Sequence, residues 1–78
     1  MVDINMPNLD GVTEATIVKW WKKVGDGIKE KDVLVEVMTE KVNTEVESPV
    51  SGIVFEIIYP NDSVVKIGEV IARIEQKD

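Results

Sequence analysis

The sequence predicts a small all-β domain, and three observations carry the prediction. Side chains branched at Cβ dominate: 14 Val, 9 Ile and 4 Thr make up 27 of 78 positions, against 2 Leu and 2 Ala. Such side chains are stiff at χ1 and sit better on a pleated strand than on a helix. Short runs alternate at period two between turn formers, and nowhere does a helix-length segment keep the 3.6-residue period. The chain also echoes itself. At an offset of 36 residues, Ile17 meets Ile53, Val18 meets Val54, Asp26 meets Asp62, Ile28 meets Val64, and Leu34-Val35 meets Val70-Ile71. A duplicated four-strand unit implies two small sheets packed face to face as a flattened barrel or sandwich.

The elements follow in order. Met1 to Met6 reads as a short strand ended by Pro7, and Pro7 to Glu14 as a loop with turn formers at both ends. Ala15 to Lys22 is a strand with Ile17, Val18, Trp20 and Trp21 as its apolar content. Its two tryptophans alternate, so one belongs in the core and the other is partly exposed. Gly25-Asp26-Gly27 is a tight turn, and Lys29 to Asp32 a charged reversal. Val33, Val35 and Val37 alternate in one strand, and Val42, Thr44 and Val46 in the next, before Ser48-Pro49 breaks the run. The second half repeats the grammar. Gly52 to Ile58 is a strand, Tyr59 to Asp62 a turn, Val64-Val65 a short strand, and Val70 to Glu75 the last. Asp26 and Asp62 are expected to cap their turns through nearby backbone. Gly11, Gly25, Gly52 and Gly68 mark positive φ or close backbone approach.

Composition removes several function classes. With no Cys and no His, there is no Ser/His/Asp triad, no Cys/His nucleophile and no ordinary zinc site. Asp3 and Asp10 lack the neighbours a carboxylate metal site needs. Size scaling gives roughly 4,700 Å² of folded surface against about 12,600 Å² unfolded, a thin core with little room for a deep cleft. The formal charge of −6 opposes nucleic-acid and anionic-membrane surfaces. No stretch approaches the roughly 20 apolar residues of a membrane helix, and no basic-then-apolar leader opens the chain. The expectation is a soluble, intracellular-type, monomeric domain that is not an enzyme by itself.

Chemistry concentrates in one place. Met38-Thr39-Glu40-Lys41-Val42 joins two alternating strands across an interval short enough for a hairpin turn. A turn tip is the most exposed position a small β domain offers, and Lys41 puts a long nucleophilic amine there. Chemistry alone does not separate Lys41 from the other seven lysines, or Glu40 from plain surface charge. Glu36 and Glu45 read as solvent-facing strand residues.

The segment Val37 to Gly52, VMTEKVNTEVESPVSG, resembles the lipoyl-attachment region of 2-oxo acid dehydrogenase acyltransferases. Met6-Pro7, Gly11-Val12-Thr13-Glu14, Ile17 to Trp20, Val24-Gly25-Asp26 and Gly68 to Ile74 extend the resemblance along the whole chain. It implies one lipoyl domain over residues 1–78, forming the N-terminal part of a longer acyltransferase. The implied fold is two four-stranded antiparallel sheets about a quasi-two-fold axis, a barrel-sandwich hybrid. The lysine sits on a hairpin, and the termini lie together at the far end.

By the same resemblance Lys41 is the lipoyl attachment site, flanked on the turn by Glu40 and Val42, and Glu40 helps present it. Lipoic acid is the implied cofactor, joined to Lys41 as an amide, and its arm swings between stations. Reductive acylation by a thiamine-diphosphate 2-oxo acid dehydrogenase, transfer to coenzyme A in the acyltransferase core, and reoxidation by dihydrolipoamide dehydrogenase complete the implied cycle. A lipoylating enzyme is the fourth partner. The compartment is the cytoplasm of a bacterium or archaeon, or the mitochondrial matrix. The match around Val37 to Pro49 leans toward a branched-chain 2-oxo acid, with pyruvate, 2-oxoglutarate and acetoin open.

Two departures stand out: Glu40 replaces the Asp common before the lysine, and the Pro7–Gly11 loop, with Ala15 beyond it, carries less glycine and glutamate than usual. Biotin carriers share the fold and the hairpin lysine but place Met on both sides of it, where this chain has Glu40 and Val42. Glycine-cleavage carriers are longer, with added helices. An unmodified interaction module is the remaining class.

Overall fold

A computed structural model describes residues 1–9 and 11–77, so Asp10 in the first loop and the terminal Asp78 lie outside the described residues. Eight strands follow one another: β1 (Val2–Asn5), β2 (Glu14–Trp20), β3 (Gly27–Ile28), β4 (Val33–Met38), β5 (Asn43–Glu47), β6 (Gly52–Ile57), β7 (Val64–Lys66) and β8 (Val70–Gln76). They form two four-stranded sheets, β1-β8-β6-β3 and β5-β4-β2-β7, with every pairing antiparallel. The expected all-β architecture of two four-stranded antiparallel sheets is the observed one. Its accessible surface, 4,851 Å², is close to the roughly 4,700 Å² that size scaling gives.

Gly27–Ile28 is the strand that direct reading of the sequence takes as part of a turn. It pairs with Gly52–Ile53 on β6, and two residues are too few to show alternation. Leu34 also departs from the simple pattern. The register of β4 against β5 slips between Val33 and Val35, so Leu34 and Val35 are both fully buried although they are consecutive. A bulge of this kind puts neighbouring side chains on one face.

The internal repeat is real, but its offset is 37 residues rather than 36. At 37, buried residues superpose on buried residues: Ile17 on Val54, Ile28 on Val65, Leu34 on Ile71, Val35 on Ala72 and Val37 on Ile74. Left-handed backbone superposes as well, Gly25 on Asp62 and Lys31 on Gly68. Hydrogen bonds repeat at the same step. Ile17 N to Ser63 O matches Val54 N to Asp26 O, and Trp21 N to Leu34 O matches Ile58 N to Ile71 O. Advancing each strand four places, cyclically, turns one sheet order into the other, which is the signature of a quasi-two-fold axis. A one-residue slip flips every side chain of a strand to the other face, so identities alone chose the wrong offset.

The core lies between the sheets and contains Ile4, Met6, Ala15, Ile17, Ile28, Leu34, Val35, Val37, Val54, Val65, Ile71, Ala72 and Ile74. Trp20 packs half-buried against it and donates from Nε1 to the Tyr59 carbonyl at 2.7 Å, while Trp21 is half exposed with Lys19 Nζ 4.2 Å from its ring centre. Asp26 caps its turn as expected, its Oδ2 accepting from Lys23 N at 2.8 Å. At the second turn it is Asn61 whose side chain holds the backbone, accepting from Trp20 N at 3.0 Å, while Asp62 supplies a positive φ of 72°. Gly52 is present for space: a Cβ there would collide with the Glu75 carbonyl on β8. Val2 pairs with Ile74, so the two ends of the chain run side by side.

Candidate functional site

The β4–β5 hairpin closes on its last pair, Met38 opposite Asn43, leaving Thr39 to Val42 as the tip. Neither Glu40 nor Lys41 has a positive φ, so the tip is not one of the primed turns that two-residue hairpins favour. Thr39 makes up the difference. Its amide donates to the Val42 carbonyl at 2.8 Å. Its Oγ1 accepts from the amides of Lys41 and Val42, each at 3.2 Å. One hydroxyl thus takes two donors that would otherwise face solvent at an irregular turn, and it ties the backbone at Lys41 to the sheet below.

Glu40, Lys41 and Val42 are all exposed, with Thr39 half-buried beneath them. The three positions expected to form the tip therefore sit together at it. Among the described residues, no carboxylate lies within ion-pair distance of Lys41. Among those residues nothing pairs with the ammonium, which stands on a long side chain with a fixed root. Such a lysine suits covalent attachment of a carboxylic acid as an amide. Its backbone is held, and its exposed side chain is open to a modifying enzyme.

Beside the tip lies a groove of about 530 Å³. The first loop contributes Gly11, Val12 and Thr13, the start of β2 contributes Glu14, Ala15 and Thr16, and Met38, Thr39, Glu40 and Val64 close the other side. The first loop therefore borders the lysine turn through Gly11, Val12 and Thr13. Residue reading singles out neither Thr39 nor this groove. A threonine two residues before a turn lysine is the one signal for the former. The latter depends on cross-strand register, which brings Met38 opposite Thr16 and Thr16 opposite Val64.

Comparison with known proteins agrees with this geometry. Residues 2–74 match the Biotin_lipoyl family model, described as biotin-requiring enzyme. The chain belongs to the biotin- and lipoyl-attachment family. It is 49% identical over 73 residues to the dihydrolipoyllysine-residue acetyltransferase component of the pyruvate dehydrogenase complex of Corynebacterium glutamicum, covering 92% of this chain and 11% of that protein. It is 46% identical over 76 residues to the succinyltransferase component of the 2-oxoglutarate dehydrogenase complex of Rickettsia bellii, covering 96% of this chain and 19% of that one. The solution structure of the lipoyl domain of the 2-oxoglutarate dehydrogenase complex from Azotobacter vinelandii superposes with a TM-score of 0.83 at 26% identity, over 100% of both chains. Within the family, the chain is a lipoyl carrier domain of the dihydrolipoamide acyltransferase kind, spanning under a fifth of the length of these two acyltransferases.

Proposed function

We propose that Lys41 carries lipoic acid in amide linkage and that the domain moves it between the active sites of a 2-oxo acid dehydrogenase complex. The observation that carries this reading is the exposed Lys41 on a hairpin tip tied down by Thr39, in a chain of the lipoyl-carrier kind. When bound, the lipoyl group supplies a dithiolane able to take an acyl group reductively from a thiamine-diphosphate 2-oxo acid dehydrogenase and to yield it to coenzyme A.

The chain's own residues hold and present. Thr39 fixes the root of Lys41, the β4–β5 pairing holds the hairpin together, and Glu40 and Val42 form the flank a modifying enzyme meets. No catalytic acid or base is assigned to the domain. Tethering the arm raises its effective concentration at each station without any new contact. The proposed partners are a lipoylating enzyme, the 2-oxo acid dehydrogenase, the acyltransferase core and dihydrolipoamide dehydrogenase. The domain is proposed to be one segment of a longer acyltransferase, consistent with the relatives' greater lengths. Those relatives serve pyruvate and 2-oxoglutarate complexes, which moves the first substrate to test from a branched-chain 2-oxo acid to pyruvate.

Coexpression with a lipoylating enzyme and intact-mass measurement tests the attachment. A gain of one lipoyl amide, absent in Lys41→Arg, is expected. An unchanged mass under conditions that modify a control domain would sink the reading.

A further inference from the structure

We infer that the groove beside the hairpin is a seat for the lipoyl arm of Lys41 itself, with Met38 and Val64 as its apolar floor. This rests on lipoylation of Lys41 as proposed above. The outer face of the β5-β4-β2-β7 sheet carries several charged pairs. Glu36 sits opposite both Lys19 and Glu45, and Glu14 sits opposite Lys66. Toward the lysine turn, beside Glu14, this face also presents an apolar row. Met38 and Val64 flank Thr16 in register there, 39% and 59% exposed, on adjoining strands. Val12 from the first loop, half-buried, closes the row from the side.

The occupant follows from tether and chemistry. Thr39, which lines the groove, is two residues from Lys41, no more than about 7.6 Å between Cα atoms. A group on the long Lys41 side chain can therefore reach this row. The volume, about 530 Å³, lies in the range that takes a small organic ligand. Before modification the Lys41 ammonium is a strongly hydrated charge that stays in water. Amide formation removes that charge and adds an apolar chain ending in a ring disulfide. The polarizable Met38 thioether and the Val64 methyls are surfaces that such a ring can cover, and methionine adapts to sulfur and alkyl shapes alike. Modification thus converts a solvated side chain into one that folds back onto the domain between visits to a partner.

The test is proton and methyl-carbon NMR on the 78-residue chain, unmodified and lipoylated, with intact mass recorded on each sample. Seating predicts nuclear Overhauser contacts from dithiolane ring protons to the Met38 ε-methyl and the Val64 γ-methyls. It also predicts shift changes on lipoylation concentrated at Val12, Thr16, Met38 and Val64. Met38→Gln with Val64→Thr should remove the shift changes at Val12 and Thr16 while the mass gain stays complete. A lipoylated sample with no such contacts, its shift changes confined to Glu40, Lys41 and Val42, overturns the seat and leaves attachment intact. Shifts at the row that need an added 2-oxo acid dehydrogenase would assign the groove to a partner and overturn the inference as well. An unmodified mass overturns the attachment and, with it, the seat.

Discussion

The hydroxyl oxygen of Thr39 accepts a hydrogen bond from the backbone amide of Lys41 at 3.2 Å, so the modification site is anchored by its neighbour two residues back. A second bond from the Val42 amide, also 3.2 Å, shares the same oxygen. Thr39→Val keeps the shape and removes the acceptor. Losing these two partly exposed bonds should lower stability by about 0.5–1.5 kcal/mol. The sharper effect is local. Amide order parameters at Lys41 and Val42 should fall from about 0.85 toward 0.6 in backbone relaxation, with the sheet residues unchanged. Lipoylation should slow in parallel. Order parameters that stay high in the variant would show that the hairpin is rigid without the hydroxyl.

Gly52 is required by space alone. A Cβ would meet the Glu75 carbonyl across the β6–β8 ladder, and backbone there cannot step aside without breaking the pairing. Gly52→Ala should cost about 1–3 kcal/mol, the usual range for overpacking, and each kcal/mol lowers Tm by about 4–8 °C in a domain this small. Calorimetry on the two proteins reads it. A Tm within a degree of the parent would refute the close approach.

How far the sequence reached depends on what each feature rests on. Period-two alternation and turn formers place seven of the eight strands, because those signals are local. Gly27–Ile28 escapes because a two-residue strand has no period, and only its partner on β6 makes it one. Leu34 escapes because a bulge breaks the alternation that reading assumes. The repeat is visible, yet its offset is fixed by burial and left-handed backbone, which residue identities do not carry. Lys41 at a turn is legible from spacing, and its significance came through family resemblance. The groove is a product of three-strand register and could not be read along the chain.

Leu34 and Ile71 occupy equivalent places about the quasi-two-fold axis, and both are fully buried. Leu34→Ala should therefore destabilise by about 2–5 kcal/mol through lost transfer energy and a residual cavity. A domain of this length has a total stability on the order of 4–12 kcal/mol, so the variant stands near the edge of folding. Ile71→Val, one methylene smaller, should cost only about 0.5–1.5 kcal/mol. Urea unfolding of both measures the contrast. Equal small losses would mean that the bulge at Leu34 lets the core collapse around the gap.

Tyr59 is the chain's one tyrosine, which makes its ionisation directly observable. Its hydroxyl donates to Glu69 Oε2 at 3.1 Å. That bond first, then the adjacent negative charge and partial burial, raise the phenol above its ordinary value near 10. The sign of the linkage follows. A raised value in the folded state means that the fold favours the neutral phenol. The contribution to stability is therefore complete below about pH 10 and is lost as pH climbs through the raised value. Alkaline titration followed by phenolate absorbance should place the folded-state midpoint above that of the urea-unfolded chain. Glu69→Ala, which removes both the acceptor and the charge, should bring the folded midpoint back toward the unfolded one. The alkaline limb of the stability curve should shift to lower pH with it. Tyr59 lies on the β6–β7 connection and Glu69 on the β7–β8 connection, and neither is among the residues lining the groove beside Lys41, so lipoylation of the variant should match the parent. A midpoint unmoved by Glu69→Ala would mean that the hydrogen bond does not persist in solution.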